Sequence, residues 1–292
     1  MKQRTIGTVQ VSEIGLGGMP MSIEGRPDRS RAISTIHAAL DAGVTLIDTA
    51  DAYHLGANAS GQDETGHNEL LIAEALRSWS GDIDSILVAT KGGHLRTPNG
   101  DWTLDGRPEH IKNAAKASAA RLRVDAIGLY QYHRPDPSVP YEETIGALAE
   151  LLDEGMILMA GISNANPEQI RLANRVLGGR LASVQNQFSP AFMSSMPELE
   201  LCSELGIAFL PWSPLGGISK AGSLGQSFAP FAELATKYET SPQQICLAWE
   251  LSLSPTVIPI PGASRPESIT DSVRASDLTL TAEEVATLSN IQ

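Results

Sequence analysis

Residues 44–53 read VTLIDTADAY, three apolar β-formers (Val44, Leu46, Ile47) running into a polar cluster. The pattern predicts a buried strand ending at Asp48, with Tyr53 on the loop beyond. A carboxylate at the exit of a buried strand is unusual. Taken alone it reads equally well as a turn cap, with Tyr53 packed on a rim. What the other strands deliver to the same place decides between the two.

Outward from this stretch the same unit repeats. Residues 4–12 alternate around Gly7 and suggest a short hairpin. IGLGGMP (Ile14 to Pro20) reads as a first strand and loop, followed by a helix over 31–42 that Gly43 stops. Further strands are expected at 85–90, 126–132, 157–162, 182–185, 207–211 and 257–260. Helices are expected at 67–79, 108–123, 141–154, 167–177, 197–205, 228–238, 242–252, 266–275 and 282–290, with Pro108, Pro167, Pro242 and Pro266 in first turns that tolerate proline. Eight strands in 292 residues give about 36 residues per unit, the size of a parallel βαβ block. The expectation is α/β, a closed (β/α)8 TIM barrel with an N-terminal β-hairpin, one domain over residues 1–292. A doubly wound open sheet is the competitor. GLGG lacks the third glycine of a dinucleotide fingerprint and does not run into a helix, so no switch point is marked.

Hydrophobic residues make up 42% and charged residues 19%, the balance of a globular enzyme. The net charge of −13 argues against nucleic acid or an anionic membrane surface as partner, since both need a basic face. Cys202 and Cys246 have no metal or redox spacing and read as reduced core thiols. No apolar segment follows the early positive charge of MKQRTIGTVQ, and no stretch reaches the length of a membrane span, so a cytoplasmic protein is expected.

In a barrel the C-terminal strand ends converge on one face. Strand two delivers Asp48 and Tyr53, strand three Lys91, strand four His133, strand five Ser163 and Asn164. Strand six ends in Gln185, strand seven in Trp212, and strand eight opens into Gly262 to Arg265. Each has a plain explanation: a salt-bridged rim lysine, a hydrogen-bonded loop histidine, caps and turns. Together they make a proton donor with its tuning partners. An ammonium beside a phenol favours phenolate and is expected to lower the Tyr53 pKa from its reference of about 10, while the carboxylate orients the lysine.

Over nearly its whole length the chain resembles the aldo-keto reductase superfamily, through IDTADAY (47 to 53), GHNELLIAEAL (66 to 76), ATKGG (89 to 93), the His of YQYHRPD, GISN (161 to 164), VQNQFSP (184 to 190), PWSPLGG (211 to 217) and IPIPGASRPESI (258 to 269). The resemblance implies a (β/α)8 barrel that transfers hydride from NAD(P)H to an aldehyde or ketone. It makes Tyr53 the general acid, Lys91 and Asp48 its activating pair, and His133 the residue that orients the carbonyl. Ser163, Asn164 and Gln185 match side chains that bind the nicotinamide carboxamide, Trp212 the aromatic that stacks on the ring, and Ser213, Pro214 and Leu215 continue that cofactor wall. Gly262, Ser264, Arg265, Ser268, Asp271 and Ser272 fall on the adenosine phosphate site. There the chain departs from the family pattern: Ser264 stands where Lys or Arg is common, Ser268 where Gln or Arg is common, and Asp271-Ser272 where Glu-Asn is usual. NADPH is the expected cofactor, with NADH as the alternative.

Met19, His54 and Trp102 are expected to wall the substrate pocket, flanked by the loops His94 to Arg107 and Gly216 to Ser227. The expected partner is a small-molecule carbonyl, and the expected state a monomer. Two other classes compete. One is a cofactor-binding barrel acting as a regulatory or partner-binding subunit. The other is a metal-dependent hydrolase using Asp48, His133 and Asp136, which lacks any ligand pair at metal spacing.

Overall fold

A computed structural model describes residues 1–291. Strands β1 (Gln3–Ile6) and β2 (Val9–Ser12) form the N-terminal hairpin. Strands β3 (Leu16–Gly17), β4 (Leu46–Asp48) and β5 (Leu87–Gly92) follow. After a second hairpin, β6 (His94–Arg96) and β7 (Trp102–Leu104), come β8 (Leu129–Tyr132), β9 (Ala160–Ser163), β10 (Leu181–Gln185) and β11 (Ala208–Phe209). The seven-stranded sheet runs β11-β10-β9-β8-β5-β4-β3, every pair parallel.

The expected eighth strand is present as a closing segment rather than a full ladder. Phe209 bridges Val257 and Gly17 bridges Gly262, which joins the two sheet edges into a barrel. Pro259 and Pro261 explain the weak ladder. Ile258 and Ile260 donate to Phe209 and Pro211 at 2.8 and 3.3 Å, but toward β3 the segment only accepts, from Gly15 and Gly17 at 2.9 and 3.0 Å. The two prolines have no N–H to return.

Local chemistry sets the helix ends. Asp28 caps Arg29–Asp41 by accepting from Arg31 N–H, and reciprocal capping boxes open Pro167–Val176 (Asn166 with Gln169) and Ala282–Ser289 (Thr281 with Glu284). Helices Arg29–Asp41 and His67–Ser78 bury Ile36, Leu40, Leu71 and Ile72 against the outside of the barrel. Inside it Leu46, Leu87, Leu129, Met159, Ala182, Leu210 and Ile258 form one cluster, completed by Ile6 and Val11 of the hairpin. The hairpin therefore plugs the N-terminal mouth and leaves the opposite end, where the strands exit, for a site.

Above this apolar floor the register assembles a polar layer. Lys91 pairs with Gln131, Gln131 with Gly161, and Gly161 with Ser183 around the barrel wall. Residues of one layer on neighbouring strands point inward together.

Candidate active site

Lys91 is the centre of the strand-exit cluster. Its ammonium is fully buried and donates to Asp48 Oδ2 at 2.6 Å, to the Thr49 carbonyl at 2.8 Å and to Tyr53 Oη at 3.2 Å. An ammonium out of water needs all three partners, and here it has them. Burial works against its charge, but Asp48 and Tyr53 together outweigh burial and hold Lys91 above its ordinary value.

Asp48 is also held from behind. Its Oδ1 accepts from Gln185 Nε2 at 2.8 Å and Gln131 Nε2 at 3.4 Å, and Ser183 Oγ donates to Gln131 Oε1 at 3.1 Å. The serine hydroxyl occupies the amide oxygen, so the amide nitrogen faces the carboxylate. Space for this arrangement comes from Gly161: a Cβ there would lie 2.2 Å from Ser183 Oγ and 2.8 Å from Gln131 Cγ. Gln131, Ser183 and Gly161 escape the reading of strand exits. The signal is the period of two within a strand, which sets Gln131 beneath His133 and Ser183 beneath Gln185.

Tyr53 corrects one expectation. Its phenol is held above its ordinary value, not below it, because burial outweighs the opposing influence of Lys91, and the Asp48 charge adds to burial. The group is thus a protonated donor throughout the ordinary pH range, with an ammonium placed to stabilise the phenolate once the proton leaves.

His133 meets the Tyr53 ring edge-on, centroids 5.7 Å apart. Burial, reinforced by Lys91, His94 and Arg134, holds its pKa well below the imidazole range, so the ring is neutral. Nδ1 is enclosed without a partner among the described residues. The other ring nitrogen is therefore the one available to the cavity, and a neutral imidazole can donate from it.

These groups open into a cavity of about 660 Å³ lined by Asp48, Tyr53, His133, Ser163, Asn164, Gln185, Trp212, Ser213, Pro214, Leu215 and Gly262, with Met19 and Trp102 at its mouth. Ser163 Oγ donates to the Gln185 carbonyl at 2.7 Å and accepts from Asn164 Nδ2 at 2.9 Å. Asn164 (φ 57°) and Ser213 (φ 53°) both adopt left-handed backbone, a strained choice for non-glycine residues that recurs at ligand sites. The set fits a nicotinamide: amide and hydroxyl groups on one wall, and on another the flat Trp212, whose indole N–H is buried without a partner among the described residues.

Other expected residues lie elsewhere. His54 is buried with Nδ1 2.7 Å from the Leu55 carbonyl, and is not among the residues lining the cavity. Ser264, Arg265, Ser268, Asp271 and Ser272 lie outside the cavity lining. Arg265 Nε donates to Ser268 Oγ at 2.7 Å. Asp271 is turned to Ser241 Oγ and Gln244 Nε2, at 2.7 and 2.6 Å, and Ser272 is buried. The segment expected to be a loop from His94 is instead the β6–β7 hairpin, where His94 stacks on Trp102 at 4.6 Å and Arg96 lies over the same ring at 4.3 Å. Asp136, the third of the candidate metal ligands, accepts from Gly106 N–H and Ser138 instead of facing Asp48.

Residues 13–292 match the model of the Aldo/keto reductase family. The chain is 32% identical over 289 residues to an uncharacterised oxidoreductase of Schizosaccharomyces pombe, covering 97% of this chain and 87% of that one. It is 29% identical to pyridoxine 4-dehydrogenase of Escherichia coli, covering 98% and 97%. Among solved structures, the glycerol dehydrogenase AKR11B4 of Gluconobacter oxydans superposes with a TM-score of 0.83 at 26% identity, over 99% of this chain and 94% of that one.

Proposed function

The chain belongs to the aldo/keto reductase family, and from that premise we propose that it reduces a small aldehyde or ketone to an alcohol with NADPH, using Tyr53 as the proton donor. The observation that carries this reading is the contact of a buried ammonium, Lys91, with both Asp48 at 2.6 Å and the Tyr53 hydroxyl at 3.2 Å, the two partners that line the cavity.

A nicotinamide cofactor, when bound, supplies the hydride. The protein's part is orientation and a proton. Ser163, Asn164 and Gln185 would hold the carboxamide edge and Trp212 the ring face. The neutral His133 donates a hydrogen bond to the carbonyl oxygen and keeps it in line with Tyr53 Oη. As negative charge develops on that oxygen Tyr53 transfers its proton, and Lys91 stabilises the phenolate left behind. Asp48 holds Lys91 charged and aimed, and is itself fixed by Gln185 and Gln131. A positioned acid contributes roughly 10²- to 10⁴-fold, and hydrogen bonds already in place need no reorganisation during reaction.

NADPH rather than NADH rests on Arg265, whose guanidinium is exposed beside Ser268 just ahead of the helix Pro266–Val273. A guanidinium clamps a phosphate bidentately. The reading is tested by following NADPH and NADH oxidation with a panel of aldehydes, ketones and quinones, in wild type and Arg265→Ala. The expected result is turnover of carbonyls and a rise in KM for NADPH of at least about tenfold in the variant, with little change for NADH. Equal losses for both cofactors would remove Arg265 from phosphate recognition, and inertness toward the whole panel would favour the partner-binding alternative.

A further inference from the structure

Charges on and behind the cavity wall cancel in pairs, with one exception. Asp48 is neutralised by Lys91 at 2.6 Å. Glu24, at the mouth, is paired with Arg96, which also packs on Trp102. Arg134 lines the same cavity and is exposed, and no carboxylate among the described residues forms an ion pair with it. Its guanidinium makes one hydrogen bond, from Nη2 to Asn164 Oδ1 at 3.3 Å. Asp136, two residues on, is committed to Gly106 N–H and Ser138.

The result is a local positive field in a chain whose net charge is −13. His94, stacked on Trp102 and edge-on to His133, registers it: burial, then Arg134 and Arg96, lower its pKa to about 4, so His94 brings no charge of its own. Arg134 follows His133 directly, its Cα about 3.8 Å further along the chain. Its guanidinium lines the cavity that His133 also lines, and it is tethered to Asn164, whose Nδ2 donates to the His133 carbonyl at 3.0 Å.

We propose that Arg134 is a specificity-determining residue that selects carbonyl substrates carrying an anionic group, a carboxylate or a phosphate ester, a few bonds from the reacting carbon. This rests on the carbonyl-reductase reading above. One weak bond to Asn164 leaves most of the planar fork free for a two-point contact with an oxyanion. Arg96, occupied by Glu24 and Trp102, does not compete for it.

The test uses matched pairs: 4-oxobutanoate against butanal, and glyceraldehyde 3-phosphate against glyceraldehyde. The quantity read is the ratio of kcat/KM within each pair, in which general damage from a substitution cancels. Wild type is expected to favour the anion by about tenfold or more in one pair, and which pair identifies the anion. Arg134→Gln is expected to reduce that ratio about 10- to 100-fold, mainly through KM, as removal of a charged hydrogen bond does. Arg134→Lys keeps part of the preference, and added salt weakens it in wild type. A wild-type ratio near one in both pairs overturns the proposal without any variant. So does a ratio that Arg134→Gln leaves unchanged. If butanal and glyceraldehyde are themselves inert together with both anions, it is the reductase reading that falls, and the inference with it.

Discussion

Replacing Lys91 with methionine keeps the volume of the buried stem and deletes the charge. In the folded protein that ammonium sits 3.2 Å from the Tyr53 hydroxyl. Unit charges at that separation interact by about 5 kcal/mol at an effective dielectric constant of about 20. If about half of the phenolate charge has developed in the transition state, the loss is about 2.5 kcal/mol, or about 50- to 100-fold in kcat. Lys91 is fully buried beneath Tyr53, so KM for the carbonyl should change little. The same substitution strands Asp48, which keeps its bonds from Gln185 and Gln131 but loses its counter-charge. Removing one partner of a buried pair costs about 3 to 5 kcal/mol of stability.

Two assays follow: kcat at saturating cofactor, and the urea midpoint of unfolding. Asp48→Asn combined with Lys91→Met should be more stable than Lys91→Met alone, because the stranded carboxylate is gone, while remaining catalytically impaired. A Lys91→Met enzyme within about threefold of the wild-type kcat would refute the role given to the ammonium. A double variant less stable than the single one would refute the claim that Asp48 is left uncompensated.

Acid stability provides a second check. His133 is depressed well below the imidazole range, while an unfolded histidine titrates near 6.5. A depressed group contributes stability that is present above the unfolded value and lost as pH falls toward the folded one. From pH 6.5 to 5.0 His133 should therefore cost about 1.6 kcal/mol, and His133→Gln should show a loss smaller by that amount in urea unfolding at the two pH values; equal losses would contradict a neutral, enclosed ring. Gly161→Ala should cost about 1 to 3 kcal/mol by overpacking, since its Cβ would lie 2.2 Å from Ser183 Oγ. Adding Ser183→Ala should recover part of that loss, and no recovery would mean the strain lies elsewhere.

Much of this was legible in the sequence, for a definite reason. The parallel strands are short apolar runs between punctuated helices, so their count and order followed from pattern alone, and convergence of their ends then placed Asp48, Tyr53, Lys91 and His133 together. What escaped depends on neighbours across the sheet. Gln131 and Ser183 are ordinary polar residues until the register aligns them with Lys91 and Gly161. The β6–β7 hairpin was hidden because its stabilising contacts, His94 and Arg96 on Trp102, are side-chain stacking in a segment with no apolar alternation. The direction of the Tyr53 shift is not legible in the sequence for a related reason: the ammonium beside it is visible there, whereas the depth of burial that outweighs it is a property of the packed barrel. His54 failed as a wall residue because the turn after Tyr53 directs its ring to the Leu55 carbonyl.

The central claim, that Tyr53 supplies the proton, is most directly tested by Tyr53→Phe. The substitution removes the hydroxyl that Lys91 contacts at 3.2 Å and leaves the ring that packs against His133. With NADPH affinity followed by fluorescence and turnover followed with a reactive aldehyde, the expected result is a fall in kcat of about 10²- to 10⁴-fold with cofactor affinity near wild type. Turnover at the wild-type rate in that variant would contradict the account.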